Sequence, residues 1–182
     1  MKKTIIAVTV AAMLLATAAP VYAGTATYKA TQDFIDALEA ANWKYTLGGI
    51  MRNGSENVDV LFEGDYMPEI LINCFFSDDN SDAIFYSWNV INFTRADVED
   101  VIVLCNELNL SLPYVKFYID TDDNSVTAEL SYLMDEDLDC GYISLKNMYS
   151  MVCLVDEAYK VLQPYNATGT SHGSLGDLLY GQ

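Results

Sequence analysis

The stretch Asn57-Val-Asp-Val-Leu-Phe-Glu63, followed by Ile70-Leu-Ile-Asn-Cys-Phe-Phe76, decides the fold of this chain. In both segments apolar side chains recur at every second residue, which places them on one side of an extended backbone. Val58 and Val60 point to one side of the first segment, and Asp59 points to the other. This alternation is typical of antiparallel strands with one buried face. The sequence therefore predicts an antiparallel sheet.

The strand pattern continues in both directions along the chain. A first short strand is expected to start near Lys44, and the Asp- and Asn-rich residues 78–82 predict a hairpin turn. The strand after this turn is predicted to bury alternate residues, namely Ile84, Tyr86, Trp88 and Val90. A second hairpin is predicted over residues 114–120 and 125–132, with Val115, Phe117 and Ile119 facing Val126, Ala128 and Leu130.

Three segments have the apolar spacing of amphipathic helices. Thr31 is predicted to cap the first helix. Thr94 opens the second helix, with Asp97 completing a loose capping box, and a long third helix covers residues 142–163. The predicted buried stripes are Phe34, Ile35, Leu38 and Ala41, then Val98, Val101, Ile102, Cys105 and Leu108, then Leu145, Met148, Val152, Val155, Tyr159 and Leu162. The predicted class is α+β, with an antiparallel β-sheet and these helices packed mainly on one face.

The first 23 residues predict a cleavable secretory signal peptide. Two lysines precede an uncharged apolar run, and Val21 and Ala23 are the small residues expected just before cleavage at Gly24. A membrane anchor would need about 20 apolar residues, and this run is shorter. The mature protein is therefore expected outside the cytoplasm, secreted or on the cell surface, with no integral membrane segment. The predicted organisation is a linker at residues 24–30, a single domain at 31–163 and a flexible tail at 164–182.

The chain is strongly acidic. It has 26 Asp and Glu residues against 9 Lys and Arg residues, and a formal net charge of −17 at pH 7. Such a surface repels phosphate backbones and anionic lipids, which argues against nucleic-acid binding. It favours solubility and the attraction of cations or of a basic partner. The hydrophobic fraction of 52% argues for a folded core rather than for disorder.

The cysteines and the acidic turns are the candidate covalent and metal sites. Export permits disulfides, and four cysteines allow three full pairings, which the sequence leaves open. Their positions in apolar runs favour buried free thiols, and their spacing does not favour zinc. The cysteines are Cys74, Cys105, Cys140 and Cys153.

Two acidic turns match the first half of a calcium loop. These are Asp78-x-Asn80-x-Asp82 and Asp120-x-Asp122-x-Asn124. In each, the sixth position lacks the Gly and the twelfth lacks the Glu that are typical of the EF-hand calcium loop. Because Asp and Asn are also common hairpin-turn residues, we expect no metal site here, with a cation-stabilised structural protein as an alternative.

The chain resembles a known family, and the motifs that carry the resemblance lie in its C-terminal half. The helix Val103-Leu-Cys-Asn-Glu-Leu-Asn109, the strand Lys116-Phe-Tyr-Ile-Asp120 with its acidic turn, and the helix segment Leu154-Val-Asp-Glu-Ala-Tyr-Lys-Val-Leu162 resemble the YbjN family. That family is described as bacterial sensory transduction regulators, with a fold similar to type III secretion chaperones. The resemblance covers about residues 31–163. It implies a non-enzymatic binding or regulatory domain that can form homodimers, although secretion chaperones act in the cytoplasm.

The sequence offers little catalytic machinery. His172, which a Ser or Cys nucleophile would need, lies alone in the Gly- and Ser-rich tail. Paired carboxylates, as in a secreted hydrolase, are the enzymatic alternative. We therefore expect no enzyme activity, no catalytic, cofactor-binding or metal-binding residues, no cofactor, and another protein as partner. Aromatic side chains left on the surface would mark the binding site. The candidates are Tyr66, Tyr86, Trp88, Tyr114, Tyr118, Tyr132, Tyr142 and Tyr149.

Overall fold

The computed structural model describes residues 25–135 and 139–167. The predicted signal peptide and most of the predicted tail, with His172, lie outside these residues. Within them the chain forms six strands, three α-helices and two short 3₁₀ turns. The elements are α1 (Lys29–Ala40), β1 (Thr46–Ile50), β2 (Glu56–Phe62), β3 (Ile70–Phe76), β4 (Asp82–Asn92), α2 (Val98–Ser111), β5 (Lys116–Asp120), β6 (Ser125–Leu133) and α3 (Cys140–Leu162), with 3₁₀ turns at Arg95–Asp97 and Gln163–Tyr165.

The described strands form a single antiparallel sheet in the order β1-β2-β3-β4-β6-β5. The helices pack on one face of it: α1 lies against α3, and α3 contacts β3, β4 and α2. The predicted α+β class and the helices on one face are confirmed. In the part of the chain that the structure describes, no helix is both long and apolar enough to cross a membrane.

The core lies between this helical layer and the sheet. The Phe34 ring of α1 packs against the Phe76 and Phe85 rings of the sheet, with centroid distances of 5.3 and 6.0 Å. Burying each such ring stabilises the fold by about 2–3 kcal/mol. The predicted second hairpin is confirmed, since Phe117 pairs with Ala128 and Ile119 with Val126 on the core side.

The predicted start of α1 was wrong. The helix begins at Lys29, and Thr31, the predicted N-cap, lies inside the first turn. Thr31 is fully buried, and its hydroxyl has no hydrogen-bond partner among the described residues. Lys29 and Ala30 are therefore helical rather than part of the expected linker. The local capping pattern did not identify the correct first residue, because side chains distant in sequence bind the N-terminus of the helix.

Glu56 is one of those distant side chains. Its carboxylate is buried and accepts hydrogen bonds from the backbone N–H groups of Thr27 and Tyr28, at 2.8 and 2.9 Å. The side chain of Asn80 accepts from the N–H of Ala30. The N–H groups of Tyr28 and Ala30 are among those that the start of a helix leaves without an intrahelical partner. The carboxylate also lies at the positive end of the helix dipole, which it stabilises.

The predicted buried face of β4 was also wrong. Phe85 and Ser87 face the core, while Tyr86 and Trp88, predicted to be inside, lie on the other face. The strand is apolar on both faces, so periodicity alone could not identify the buried one. A bulge at Asn89, whose φ is 53°, then shifts the alternation. Val90 is consequently buried, as predicted.

Helix α2 differs from its predicted stripe at one position. Val101 and Cys105 are buried, whereas Ile102 is exposed. The helix also closes one edge of the sheet, because the Asn109 side chain both donates to the carbonyl of Phe117 and accepts from its N–H. Asn109 thus occupies the outer side of β5 as a neighbouring strand would. Such cover protects an edge strand from pairing with other chains.

Asp156 of α3 fixes the loop between β2 and β3. Its buried carboxylate accepts from the backbone N–H groups of Asp65, Tyr66 and Met67 at 2.8–2.9 Å. A Cβ at Gly64 would lie 2.3 Å from this carboxylate, so only glycine leaves room for it. One side chain therefore joins the last helix to a loop about 90 residues earlier.

We expect Asp156→Ala to lower the free energy of unfolding by about 2–4 kcal/mol, because the loop N–H groups lose a charged acceptor. Urea denaturation followed by tryptophan fluorescence measures this change. The exposed neighbour provides the control, since Glu157→Ala should change stability by less than about 0.5 kcal/mol. Equal effects of the two substitutions would contradict this role for Asp156.

The cysteines are all free thiols, and they differ in exposure. Cys74, Cys105 and Cys140 are buried, and burial raises the pKa of each thiol, that of Cys105 to about 11. Cys153 is exposed on α3. The thiolate is the reactive form, and burial both disfavours the thiolate and blocks access at the other three cysteines. The exposed Cys153 thiol should therefore react first.

We expect a disulfide-exchange reagent such as Ellman's reagent to modify one thiol rapidly in the native protein and all four in denaturant. The absorbance of the released chromophore gives the number of thiols that react and the rate of each phase. Cys153→Ser should remove the rapid phase and leave the slow reaction unchanged. A native protein without any rapid phase would contradict the assignment.

Candidate binding surface

The sheet face opposite the helices is the candidate functional site. We call it the open face, because the described helices pack on the other side and leave large apolar side chains exposed. Trp88 is 46% exposed, Tyr118 48% and Leu61 46%. The alternate strand residues that form the open face are Asn57, Asp59 and Leu61 of β2, Leu71, Asn73 and Phe75 of β3, Asp82, Ile84, Tyr86 and Trp88 of β4, Lys116 and Tyr118 of β5, and Glu129, Ser131 and Leu133 of β6.

A cluster of aromatic rings lies at the middle of the open face. The Tyr86 and Trp88 rings stack with centroids 4.3 Å apart and an interplanar angle of 17°. Phe75 meets Tyr86 edge to face at 5.9 Å. Neighbouring rings on one strand and the next form a rigid apolar surface. Exposed aromatic clusters of this kind are typical of protein-binding sites.

A groove of about 410 Å³ opens beside this cluster. Phe75, Ile84, Tyr86 and Trp88 line it from the strands. The β1–β2 loop borders it on one side, and the β3–β4 turn contributes Asp78. The groove is thus apolar at its base with an acidic residue at its rim. It can accept an apolar side chain together with a neighbouring positive charge.

Glu129 places a carboxylate next to these rings. It stands opposite Tyr86 on β4 and opposite Lys116 on β5. Burial and the adjacent Glu129 carboxylate, to which its hydroxyl is hydrogen-bonded, raise the pKa of Tyr86. The same carboxylate contributes to the raised pKa of Tyr118, after burial. Both phenols therefore stay neutral at physiological pH, and Glu129 is a negative charge set among neutral rings.

Asp59 is a buried carboxyl group on the same face. It is 3% exposed, and the side-chain amides of Asn57 and Asn73 both donate to its Oδ1, at 2.9 and 2.7 Å. Its Oδ2 has no hydrogen-bond partner among the described residues. Desolvation raises the pKa of Asp59, although the two amides oppose that shift. Ionisation of Asp59 in the folded protein therefore costs free energy.

The other acidic features do not form a comparable site. A shallow groove of about 720 Å³ between α1 and α3 contains Asp33, Asp36 and Asp139, and Lys29 pairs with Asp33. In the calcium-like turns, the Asn80 side chain binds the α1 backbone, and the Asp120 side chain accepts from the N–H two residues on. Among the described residues, no group of three or more His, Cys, Asp and Glu side chains could hold a metal ion.

The candidate aromatic residues divide between several places. Tyr86, Trp88 and Tyr118 lie on the open face, while Tyr132 lies on the core side against Phe85. Tyr66 lies under the Lys160 ammonium group, and Tyr149 lies beside Trp43. Tyr142 lines the groove between α1 and α3, and Tyr114 is exposed before β5.

Sequence reasoning did not select Phe75 or the Asp59 cluster as site residues. The alternation in β3 did give a signal for Phe75, because the predicted inward positions Cys74 and Phe76 leave it on the other face. The pairing of Asp59 with Asn73 depends on the register between β2 and β3. Neither strand alone contains that information.

Over residues 25–135 and 139–167, the fold is that of an α+β protein whose helices cover one side of the sheet. No family model matches the sequence, and no curated protein matches it either. Among solved structures, the chain is similar to the crystal structure of YbjN from E. coli, which is described as a proposed transcription regulator. The TM-score is 0.46 and the identity is 11%, over 70% of this chain and 89% of that chain. The predicted likeness to YbjN is thus found as a likeness of fold, and nothing about function follows from it.

We expect Asp59→Asn to stabilise the protein at pH 7, because it removes a desolvated charge and keeps an acceptor for both amides. Because the pKa of Asp59 is raised in the folded protein, its protonated carboxyl group stabilises the fold fully below the unfolded pKa of about 3.9. This stabilisation is lost as pH rises through the native pKa. The increase in the free energy of unfolding caused by Asp59→Asn should therefore be smaller at pH 3 than at pH 7, as measured by urea denaturation at each pH.

Asp79 provides a control of opposite sign. Its pKa is lowered, chiefly by hydrogen bonds from Ser81. Asp79→Asn should accordingly destabilise the protein at pH 7 and have less effect at pH 3. A pH-independent effect of Asp59→Asn would contradict a desolvated carboxylate at that position.

Proposed function

We propose that this protein is an exported, non-enzymatic binding module that holds a segment of another protein on its open face. The observation that supports the proposal is the exposed aromatic cluster of Tyr86, Trp88 and Phe75 beside a groove of about 410 Å³. Aromatic side chains in a pocket are the usual centre of a protein interface. The apolar run and cleavage pattern of residues 1–23 support export.

The shape of the open face favours a protein segment over a small molecule. Alternate residues from Asp82 to Trp88 extend along one strand for about 20 Å, at about 3.3 Å per residue. The apolar residues continue onto β2 through Leu61 and onto β6 through Leu133, which is 85% exposed. A surface this long and open suits an extended chain that contacts several alternate positions.

Site-specific crosslinking tests where the partner binds. A benzophenone amino acid replaces Tyr118 on the open face or, as the control, the exposed Tyr142 on α3. Each form is incubated with the extracytoplasmic proteins of the host and irradiated. We expect the position 118 form to give a saturable adduct that excess unlabelled protein abolishes. Adducts from position 142 alone would contradict the proposal.

We expect Trp88→Ala to weaken partner binding at least about 30-fold, which corresponds to about 2 kcal/mol for a residue at the centre of an interface. As a competitor in the crosslinking assay, this variant should fail to displace the adduct. Leu110→Ala is the matched control, because Leu110 is an exposed apolar residue on α2, away from the open face. Equal competition by the two variants would count against the open face as the binding site.

A further inference from the structure

We infer that the segment held on the open face is a basic, extended stretch of another protein, with arginine or lysine side chains lying over the Tyr86 and Trp88 rings. This inference rests on the proposed function and names the chemistry of its partner. The argument combines the charge of the open face, the stacked rings and the acidic rim of the groove.

The charges on the open face are mostly negative. Its strands carry Asp82 and Glu129, and Asp78 stands at the rim of the groove, whereas the buried Asp59 is already bonded to two amides. Among the described residues, Lys116 is the basic side chain that the strands place on this face, and its ammonium group donates to the carbonyl of Asn109 on α2. Although Glu129 also accepts from the Tyr86 hydroxyl, Asp78, Asp82 and Glu129 together leave a net negative charge beside the rings, which a partner's positive charges can neutralise.

The overall charge of the chain disfavours other occupants. At a formal net charge of −17, two copies repel each other, so a second copy is disfavoured on this face. Nucleic acids and anionic lipid surfaces are disfavoured for the same reason. A basic protein segment is attracted instead, and its association is accelerated by the negative field.

The rings provide the second part of the recognition. An arginine or lysine side chain over the face of a Trp or Tyr ring is attracted by the ring quadrupole. The protein makes this contact internally, since the Lys160 ammonium group lies 4.6 Å from the Tyr66 ring centroid. On the open face, Tyr86 and Trp88 turn one ring face toward each other, so a cation can contact the outer face of either ring, and Glu129 next to Tyr86 supplies the neutralising charge.

The spacing of these groups favours an extended segment of about six residues. Asp82, Ile84, Tyr86 and Trp88 lie on one face of β4 at two-residue intervals. An extended peptide presents alternate side chains at the same spacing of about 6.6 Å. A segment with basic and apolar residues at alternate positions can therefore place apolar groups in the groove and positive charges near Glu129 and Asp82.

Peptide binding to residues 24–182 tests this inference by fluorescence anisotropy. The probe is a ten-residue peptide with three arginines that alternate with leucine and phenylalanine. Its control is the same peptide with citrulline, a neutral isostere, in place of each arginine. We expect the arginine peptide to bind at least ten-fold more tightly, with an affinity that falls between 50 and 300 mM salt.

Two pairs of variants separate specific recognition from general charge attraction. Trp88→Ala and Glu129→Gln should each weaken binding of the arginine peptide at least five-fold. Leu110→Ala and Glu157→Gln remove an exposed apolar group and an exposed charge elsewhere, and they should change binding less than two-fold. An equal effect of Glu157→Gln and Glu129→Gln would overturn the inference.

The outcomes also separate this inference from the proposed function. If both peptides bind equally and Trp88→Ala weakens both, the open face binds proteins but does not select basic ones, and the inference alone fails. If neither peptide binds although the position 118 crosslink forms, the inference again fails alone. If the crosslink also fails to form, the proposed function falls with it.

Discussion

The fold depends on buried carboxylates that accept hydrogen bonds from the main chain. Glu56 receives the N–H groups that precede α1, and Asp156 receives those of the β2–β3 loop. Burying a carboxylate is costly unless its oxygens are hydrogen-bonded. In a chain with so many acids, these two serve as attachment points because the backbone supplies their donors. They join segments that secondary structure alone would leave independent.

Asp59 differs from these two residues in how its charge is compensated. Its donors are side-chain amides that share one oxygen, and no main-chain N–H group bonds to the other among the described residues. Its charge is therefore less well compensated, and the single link it makes to another element is the hydrogen bond from Asn73 of β3. Poorly compensated polar groups are expected at functional sites more than in purely structural positions. Its position on the open face agrees with that expectation.

Local pattern predicted most of the elements and failed where distant residues decide the outcome. The alternation around Val58 and the helical spacing around Met148 identified a strand and a helix correctly. Thr31 failed as a cap because Glu56 and Asn80 hold the helix start from elsewhere in the sequence. In β4, both faces are apolar, and only packing against Phe34 selects Phe85 for the core.

The face of β4 that was wrongly predicted to be buried forms part of the candidate binding surface. A strand with one solvated face normally carries polar side chains there, yet β4 places Ile84, Tyr86 and Trp88 on the open side. The core does not need them, since Phe85 already fills the inner position. These side chains pack on one another, and because exposed aromatic surface also promotes association, their position supports the proposal that a partner covers them. In that proposal, the acids around them favour partners that carry positive charge.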